Sequence, residues 1–124
     1  MTVGIPIADI LAAAVAADGN LTWVPIITAN PSNVSTNHLN SNNTAAFTIV
    51  AKCETGVSLT YQWQLSTDNG GNWANQSNGG VYSNMTTNSM LISNSNGLNG
   101  SYYRCKAYNV AGNVASNFAK LTVV

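Results

Sequence analysis

The chain is 124 residues long, with four basic and four acidic side chains, a formal net charge of zero and two cysteines. That length suits one domain with a two-sheet core of about a hundred residues and a short extension. Charged residues make up 6% of it, against about a quarter of an average protein. Nineteen Asn, with many Ser and Thr, stand in their place. The four cations are scattered along the sequence, so no basic patch supports nucleic-acid binding and none is expected. No run reaches the roughly 18 apolar residues of a membrane span. A neutral surface promotes association, as suits part of an assembly or a protein that works outside the cell.

Residues 1–20 differ from the rest. Ile7, Ile10, Leu11 and Val15 fall near one helical stripe, Pro6 suits a first turn and Gly19 a C-terminal stop. The spacing predicts a short helix from Pro6 to Ala17. The apolar length and an Ala-x-Ala pattern are compatible with a secretory signal, but no Lys or Arg precedes Lys52 and Asp9 interrupts the apolar stretch, so a signal is not the expected reading. A helix this short is marginal alone in water. The four apolar residues are therefore candidate anchoring residues, packing on a copy, on another protein or on the chain's own domain. Residues 1–24 are assigned to this segment and its connector, and residues 25–124 to the domain proper.

Pro25 and Pro31 mark an edge strand, where a missing donor does no harm. His38 stands alone in a polar loop, with no second ligand nearby, and reads as an exposed loop residue. From Ala45 to Glu54, the residues Ala45, Phe47, Ile49, Ala51 and Cys53 alternate with a more polar set. Leu59–Ser66 repeats the device, with Tyr61, Trp63 and Leu65 inward and Gln62 and Gln64 outward. Asn69-Gly70-Gly71 is a hairpin turn, and Trp73 follows on the returning chain. Val81-Tyr82 is a short edge strand, Met90 and Ile92 share one face of the next strand, and Leu98 closes the end of the core. Tyr103, Cys105 and Ala107 point in, while Tyr102, Arg104, Lys106 and Tyr108 point out. Ala119, Leu121 and Val123 point in from the last strand. Both cysteines and Trp63 thus fall on faces that are otherwise apolar, and a one-residue slip would put them all in water. The expected core includes Phe47, Ile49, Trp63, Tyr103 and Leu121.

The stretches PIITANPSN, AAFTIVAKC, YQWQLSTDNGGNW and LNGSYYRCKAYNVAGNVASNFAKLTVV, in this order, resemble the bacterial and bacteriophage branch of immunoglobulin-like domains. The resemblance covers about four-fifths of the chain, Pro25 to Val124. The sequence departs from it at Asn43, where a Gly commonly precedes the second strand, and at Ser101, where the animal form has Gly. The resemblance implies an all-β, antiparallel immunoglobulin-like sandwich of about seven to nine strands, preceded by the short extension that the apolar spacing predicts to be helical. It implies a structural disulfide between Cys53 and Cys105, and a tyrosine corner at Tyr103. It also implies a binding or structural module of the kind found in phage heads, tails and fibres or along bacterial surface proteins.

Nothing in the sequence carries catalysis. Asp9, Asp18, Glu54 and Asp68 form no pair placed for hydrolysis, the single His lacks an orienting partner, and the Gly pairs serve turns. No enzyme activity, cofactor or metal is expected. The candidate binding face is the outer side of the strands carrying Gln62, Gln64, Tyr102, Arg104, Lys106 and Tyr108, because Tyr and Arg offer large contact area with a polar tip. Trp73 and Tyr82 are candidates for a sugar-stacking platform. The expected role is a virion structural protein, a capsid decoration or a tail or fibre component. Such a protein would contact other virion proteins and copies of itself, and cell-surface glycans as a further partner. The alternative is a carbohydrate-binding or adhesive module on a bacterial surface or secreted from it.

Overall fold

A computed structural model describes residues 13–15, 21–39 and 43–124. Among them the chain is all β. A hairpin of β1 (Ala13–Val15) and β2 (Leu21–Trp23) comes first. The strands β3 (Ile26–Ala29), β4 (Val34–Thr36), β5 (Ala45–Thr48), β6 (Val50–Lys52), β7 (Thr60–Ser66) and β8 (Ala74–Asn75) follow. Then come β9 (Tyr82–Ser83), β10 (Ser89–Ile92), β11 (Tyr102–Asn109), β12 (Gly112–Ala115) and β13 (Ala119–Val123). β5 and β6 are halves of one strand interrupted at Ile49, and β12 and β13 are likewise two runs of the last strand. Counted so, nine strands make the sandwich beside the hairpin.

One layer holds β3, β5/β6, β10 and β9, and the other runs β4-β13-β11-β7-β8 with β12 also on β11. All pairings are antiparallel except β4 with β13, which is parallel. The first long segment therefore crosses between layers, pairing β3 with β6 and then β4 with the last strand. Pro31 sits in the break between them. Asn side chains stand in for strand carbonyls along that last strand. Asn30, Asn33 and Asn99 accept from the backbone N–H groups of Asn117, Lys120 and Val123.

The core lies where the alternation places it. Phe47, Ile49, Trp63, Tyr103, Cys105 and Leu121 are buried, joined by Met85, Met90 and Ile92. Trp63 is held at three points. Its backbone N–H donates to Met85 O (2.9 Å), its indole N–H to Thr87 O (2.7 Å), and Cys105 lies opposite it in the β7–β11 ladder. Leu98 packs against the rim of this core.

Three expectations change. Ala13–Val15 is a strand, not part of a helix: Val15 pairs with Leu21 and Ala13 with Trp23. An Ala-rich stripe of apolar residues does not exclude a strand when a pairing partner follows a few residues later in the sequence. Ile7, Ile10 and Leu11 lie outside the described residues. The connector is also tied to the sandwich. Thr22 and Pro25 are buried, and Asn109 Nδ2 donates to Trp23 O (2.6 Å).

The tyrosine corner takes another form, since the Tyr103 hydroxyl meets the Tyr82 hydroxyl at 2.8 Å rather than a backbone group upstream. Burial, reinforced by that contact, raises the Tyr103 pKa above its usual value.

The two cysteines are free thiols, not a disulfide. Cys53 sits just past the end of β6, where the chain turns, and its thiol donates to Val57 O (3.1 Å) within that turn. Cys105 is enclosed in mid-strand, and burial pushes its thiol up to about 12. Because the thiolate is the reactive form, a thiol reagent at pH 8 is expected to label Cys53 slowly and Cys105 not at all in the native protein. Both should react once it is unfolded in denaturant. An unreduced, unfolded sample that gives no thiol signal would show that the two are bridged.

Candidate functional site

The outer face of the larger sheet is built from three strands and a hairpin. Along β11, Tyr102, Arg104, Lys106 and Tyr108 alternate with the buried Tyr103, Cys105 and Ala107, and all four are half-buried. Residues directly opposite each other in a ladder share a face. The register sets Ser66 and Lys120 beside Tyr102, Gln64 beside Arg104, and Gln62 beside Lys106.

Two of the expected face residues do not lie open. Gln64 is buried. Its Oε1 accepts from Arg104 Nε (2.8 Å) and its Nε2 donates to Asn75 Oδ1 (2.9 Å). Gln62 spends its amide N–H groups on Trp63 O and Gln76 O, both at 2.8 Å. Both point outward as the alternation requires, but β8 and Trp73 return across that part of β7. The two glutamines therefore brace the sheet edge, and Tyr102, Arg104, Lys106 and Tyr108 carry the face.

Two residues missed in the sequence complete it. The pairing of β11 with β12 aligns Lys106 with Ala115, whereas its pairing with β13 aligns Tyr103 with Ala119. One extra residue has been inserted into the last strand between these runs, a bulge of the sort that re-aims a side chain. Ser116 anchors it, its backbone N–H donating to Cys105 O (2.8 Å) and its hydroxyl accepting from Cys105 N–H (3.0 Å). The bulge turns Phe118 outward, 53% exposed, to stack on Tyr102 with ring centroids 5.0 Å apart and planes 20° apart. Trp73 meets Phe118 at 6.0 Å, and the Arg104 guanidinium lies over the indole, 4.5 Å from its centroid. Lys106 lies 5.6 Å from the Tyr108 ring centroid. Lys120 is exposed beside Tyr102. Alternation with the inward Ala119 was a readable signal for Lys120 and Phe118 alike, whereas the bulge was not.

The face thus gathers Arg104, Lys106 and Lys120, three of the chain's four cations, with Trp73, Tyr102, Tyr108 and Phe118. The scattering seen in the sequence is undone by strand pairing. Tyr82 is turned to Tyr103 and takes no part in this face.

The hairpin from β7 to β8 frames one end. Asn69 (φ 60°) and Gly70 (φ 87°) take the left-handed conformations of the turn. The Asp68 carboxylate is held at about 2, first by the Ser66 hydroxyl, then by the backbone N–H and side-chain amide of Asn72. It is a turn-former, ionised at neutral pH. A shallow hollow of about 210 Å³ lies beside it, lined by Leu65, Thr67, Asp68, Asn72, Trp73 and Ala74. It is smaller than the ~300–1,000 Å³ of sites that enclose drug-sized ligands. His38 is exposed and bonds Val124 O through its ring (2.6 Å). Among the described residues no three His, Cys, Asp or Glu side chains converge on a metal position, and no helix is long and apolar enough to cross a membrane.

No family model and no curated protein sequence matches the chain. Solved structures do. The titin M3 domain aligns at 18% identity over 80% of this chain and 95% of its own, with a TM-score of 0.56. The eight N-terminal Ig domains of the Down Syndrome Cell Adhesion Molecule align at 14% identity, with a TM-score of 0.65. That match covers 82% of this chain and 12% of the other. The N-terminal Ig1-2 module of the Drosophila receptor protein tyrosine phosphatase DLAR aligns at 22% identity, with a TM-score of 0.58, over 82% of this chain and 46% of that one. The chain spans nearly the whole titin M3 domain but less than half of the DLAR module and about an eighth of the cell adhesion molecule. At such identities the likeness speaks for architecture alone, and with the strand order above it establishes the chain as an immunoglobulin-like β-sandwich.

Proposed function

We propose that the chain is a non-enzymatic adhesion module of a virion, a capsid decoration or a tail or fibre component. It attaches through its N-terminal segment and presents the Arg104–Trp73–Phe118 face outward. The observation that carries the binding role is the gathering of three of four cations with four aromatic rings on one sheet face, since Arg and aromatic residues dominate binding energies. The near absence of charge elsewhere and the apolar residues Ile7, Ile10, Leu11 and Val15 support a life within an assembly.

Cell-surface glycans bearing carboxylate or sulfate groups are the partner we favour. The rings' faces are largely taken: Trp73 by Arg104, Tyr102 by Phe118, Tyr108 by Lys106. What projects is a set of N–H, O–H and ammonium donors. That set suits anionic groups better than the open ring faces on which neutral sugars or nucleobases stack.

A glycan array read with the wild type and with Phe118→Ala/Lys120→Ala tests this, both positions being exposed and outside the core. The expected outcome is binding to acidic glycans that falls about tenfold in the double variant, a loss of about 1.4 kcal/mol. Binding confined to single-stranded oligonucleotides, or indifferent to the double change, refutes the reading. For attachment, removal of residues 1–12 leaves the β1–β2 pairing in place and should release the protein from the particle. Undiminished association rules out anchoring by this segment.

A further inference from the structure

The sequence contains four Asn-Gly steps, at Asn69, Asn78, Asn96 and Asn99. In such a step the glycine backbone nitrogen can attack the asparagine side-chain carbonyl, because no Cβ hinders it. The attack needs that nitrogen without its proton and free to swing onto Cγ, so a hydrogen bond from the glycine N–H opposes it. In three of the four steps this N–H is engaged. Gly70 donates to Ser66 Oγ (2.8 Å), Gly79 to Tyr82 O (2.9 Å) and Gly100 to Leu121 O (2.8 Å). Side-chain tethering does not separate the sites: Asn78 Oδ1 accepts from Met85 N–H and Asn99 Oδ1 from Val123 N–H, each at 2.8 Å, and Asn96 Oδ1 accepts from Asn43 Nδ2 at 2.6 Å, so the glycine N–H is what distinguishes them.

Asn96-Gly97 is different. Both residues are exposed at the tip of the turn closed by Leu98 N–H to Ser95 O (3.0 Å). Among the described residues the Gly97 N–H meets no acceptor.

We infer that Asn96 is a site of spontaneous covalent modification, the one Asn-Gly step among the four whose glycine N–H the fold leaves without an acceptor. The Gly97 nitrogen, its proton taken by hydroxide, bonds to Asn96 Cγ. The Cγ–Nδ2 bond breaks, and Nδ2 leaves as ammonia, taking a proton from water. The resulting five-membered imide is opened by water at either of its two carbonyl carbons, giving aspartate or isoaspartate. The net change is one water consumed, one ammonia released and a neutral amide replaced by a carboxylate.

The consequence is local but not trivial. Asn96 Oδ1 accepts from Asn43 Nδ2 (2.6 Å), and Asn43 is buried, its carbonyl accepting from the N–H (3.2 Å) and hydroxyl (2.8 Å) of Ser95. Ser95 Oγ in turn meets Thr36 Oγ1 at 2.6 Å. Isoaspartate lengthens the backbone within this turn, and either product adds a negative charge to a chain whose net charge is zero.

The test is incubation of the folded protein at pH 8.5, followed by peptide mapping with fragment-ion localisation of the single-unit mass gain at each Asn. Asn96 is expected to convert at least about tenfold faster than Asn69, Asn78 or Asn99, the factor that a hydrogen bond worth about 1.4 kcal/mol imposes on an opening equilibrium. In denaturant all four should convert at similar rates, which fixes the fold as the cause. Ser66→Ala, which removes the acceptor for Gly70 N–H, is expected to raise the rate at Asn69 toward that at Asn96. Equal rates at all four sites in the folded protein would falsify the inference. So would an unchanged Asn69 rate in a Ser66→Ala variant whose circular dichroism shows it folded.

Discussion

Replacing Trp63 by Ala is expected to lower the free energy of unfolding by about 3–5 kcal/mol, most of the stability of a marginal domain. The indole is fully buried between the layers. Truncation removes its packing against the core, leaves a cavity that the two sheets cannot close without shifting, and strips Thr87 O of its donor. Trp63→Phe separates the contributions, since it keeps a ring in the core but still leaves the carbonyl unpaired. It should cost less than the alanine change yet more than about 1 kcal/mol. Urea unfolding followed by far-UV circular dichroism measures both, independently of the loss of a fluorophore. An alanine variant destabilised by less than 1 kcal/mol, on the order of a surface change, would be incompatible with the core described.

Arg104→Ala carries the second largest effect and separates structural from binding roles on the same face. The guanidinium lies over Trp73 and its Nε bonds Gln64 Oε1 (2.8 Å). Gln64 is buried, so losing the donor leaves a carbonyl oxygen dry and unpaired, at about 1–3 kcal/mol. The stacked contact adds about 0.5–1 kcal/mol. Together they predict a stability loss of about 1.5–4 kcal/mol. Arg104→Lys should recover little of it, because a point charge on a flexible stem reproduces neither the planar stack nor the directed Nε bond. A double-mutant cycle with Trp73→Ala isolates the stacked pair. A coupling near zero would mean that the indole and guanidinium are neighbours without mutual dependence. Phe118→Ala/Lys120→Ala, by contrast, spares the Arg104–Gln64 bond and the Arg104–Trp73 stack and removes only the Phe118 ring that meets Tyr102 and Trp73.

The alternation of apolar residues in β5/β6, β7 and β11 made the inner face legible from sequence. Phe47, Ile49, Trp63, Tyr103 and Leu121 lie where a period of two requires, and the sandwich follows from their agreement. Alternation says which side a residue faces, not what else comes to cover that side. Gln62 and Gln64 point outward correctly, yet a hairpin return of a few residues encloses them. Phe118, next to the inward Ala119, had its outward parity in the sequence; what was illegible is the bulge that reconciles this parity with β12, and with it the stack of Phe118 on Tyr102. The gathering of cations was hidden for another reason: Arg104 and Lys120 become neighbours only through register between distant strands. Helical spacing over Ala13–Val15 failed because a three-residue run fits either period, and pairing with Leu21–Trp23 decided for the strand.

The asparagines along the last strand carry a consequence of their own. The backbone N–H groups of Asn117, Lys120 and Val123 are satisfied by side-chain amide oxygens from Asn30, Asn33 and Asn99. An aspartate could offer the same oxygen and a stronger bond, but its strength would vary with proton concentration and with dissolved salt. An amide oxygen gains no proton in the range where carboxylates do and has no net charge to screen. The last strand, which bears Lys120 and fixes Phe118 through its bulge, is therefore clamped by contacts indifferent to acidity and ionic strength. For a surface exposed to whatever medium surrounds it, the geometry of the face stays constant while the medium changes.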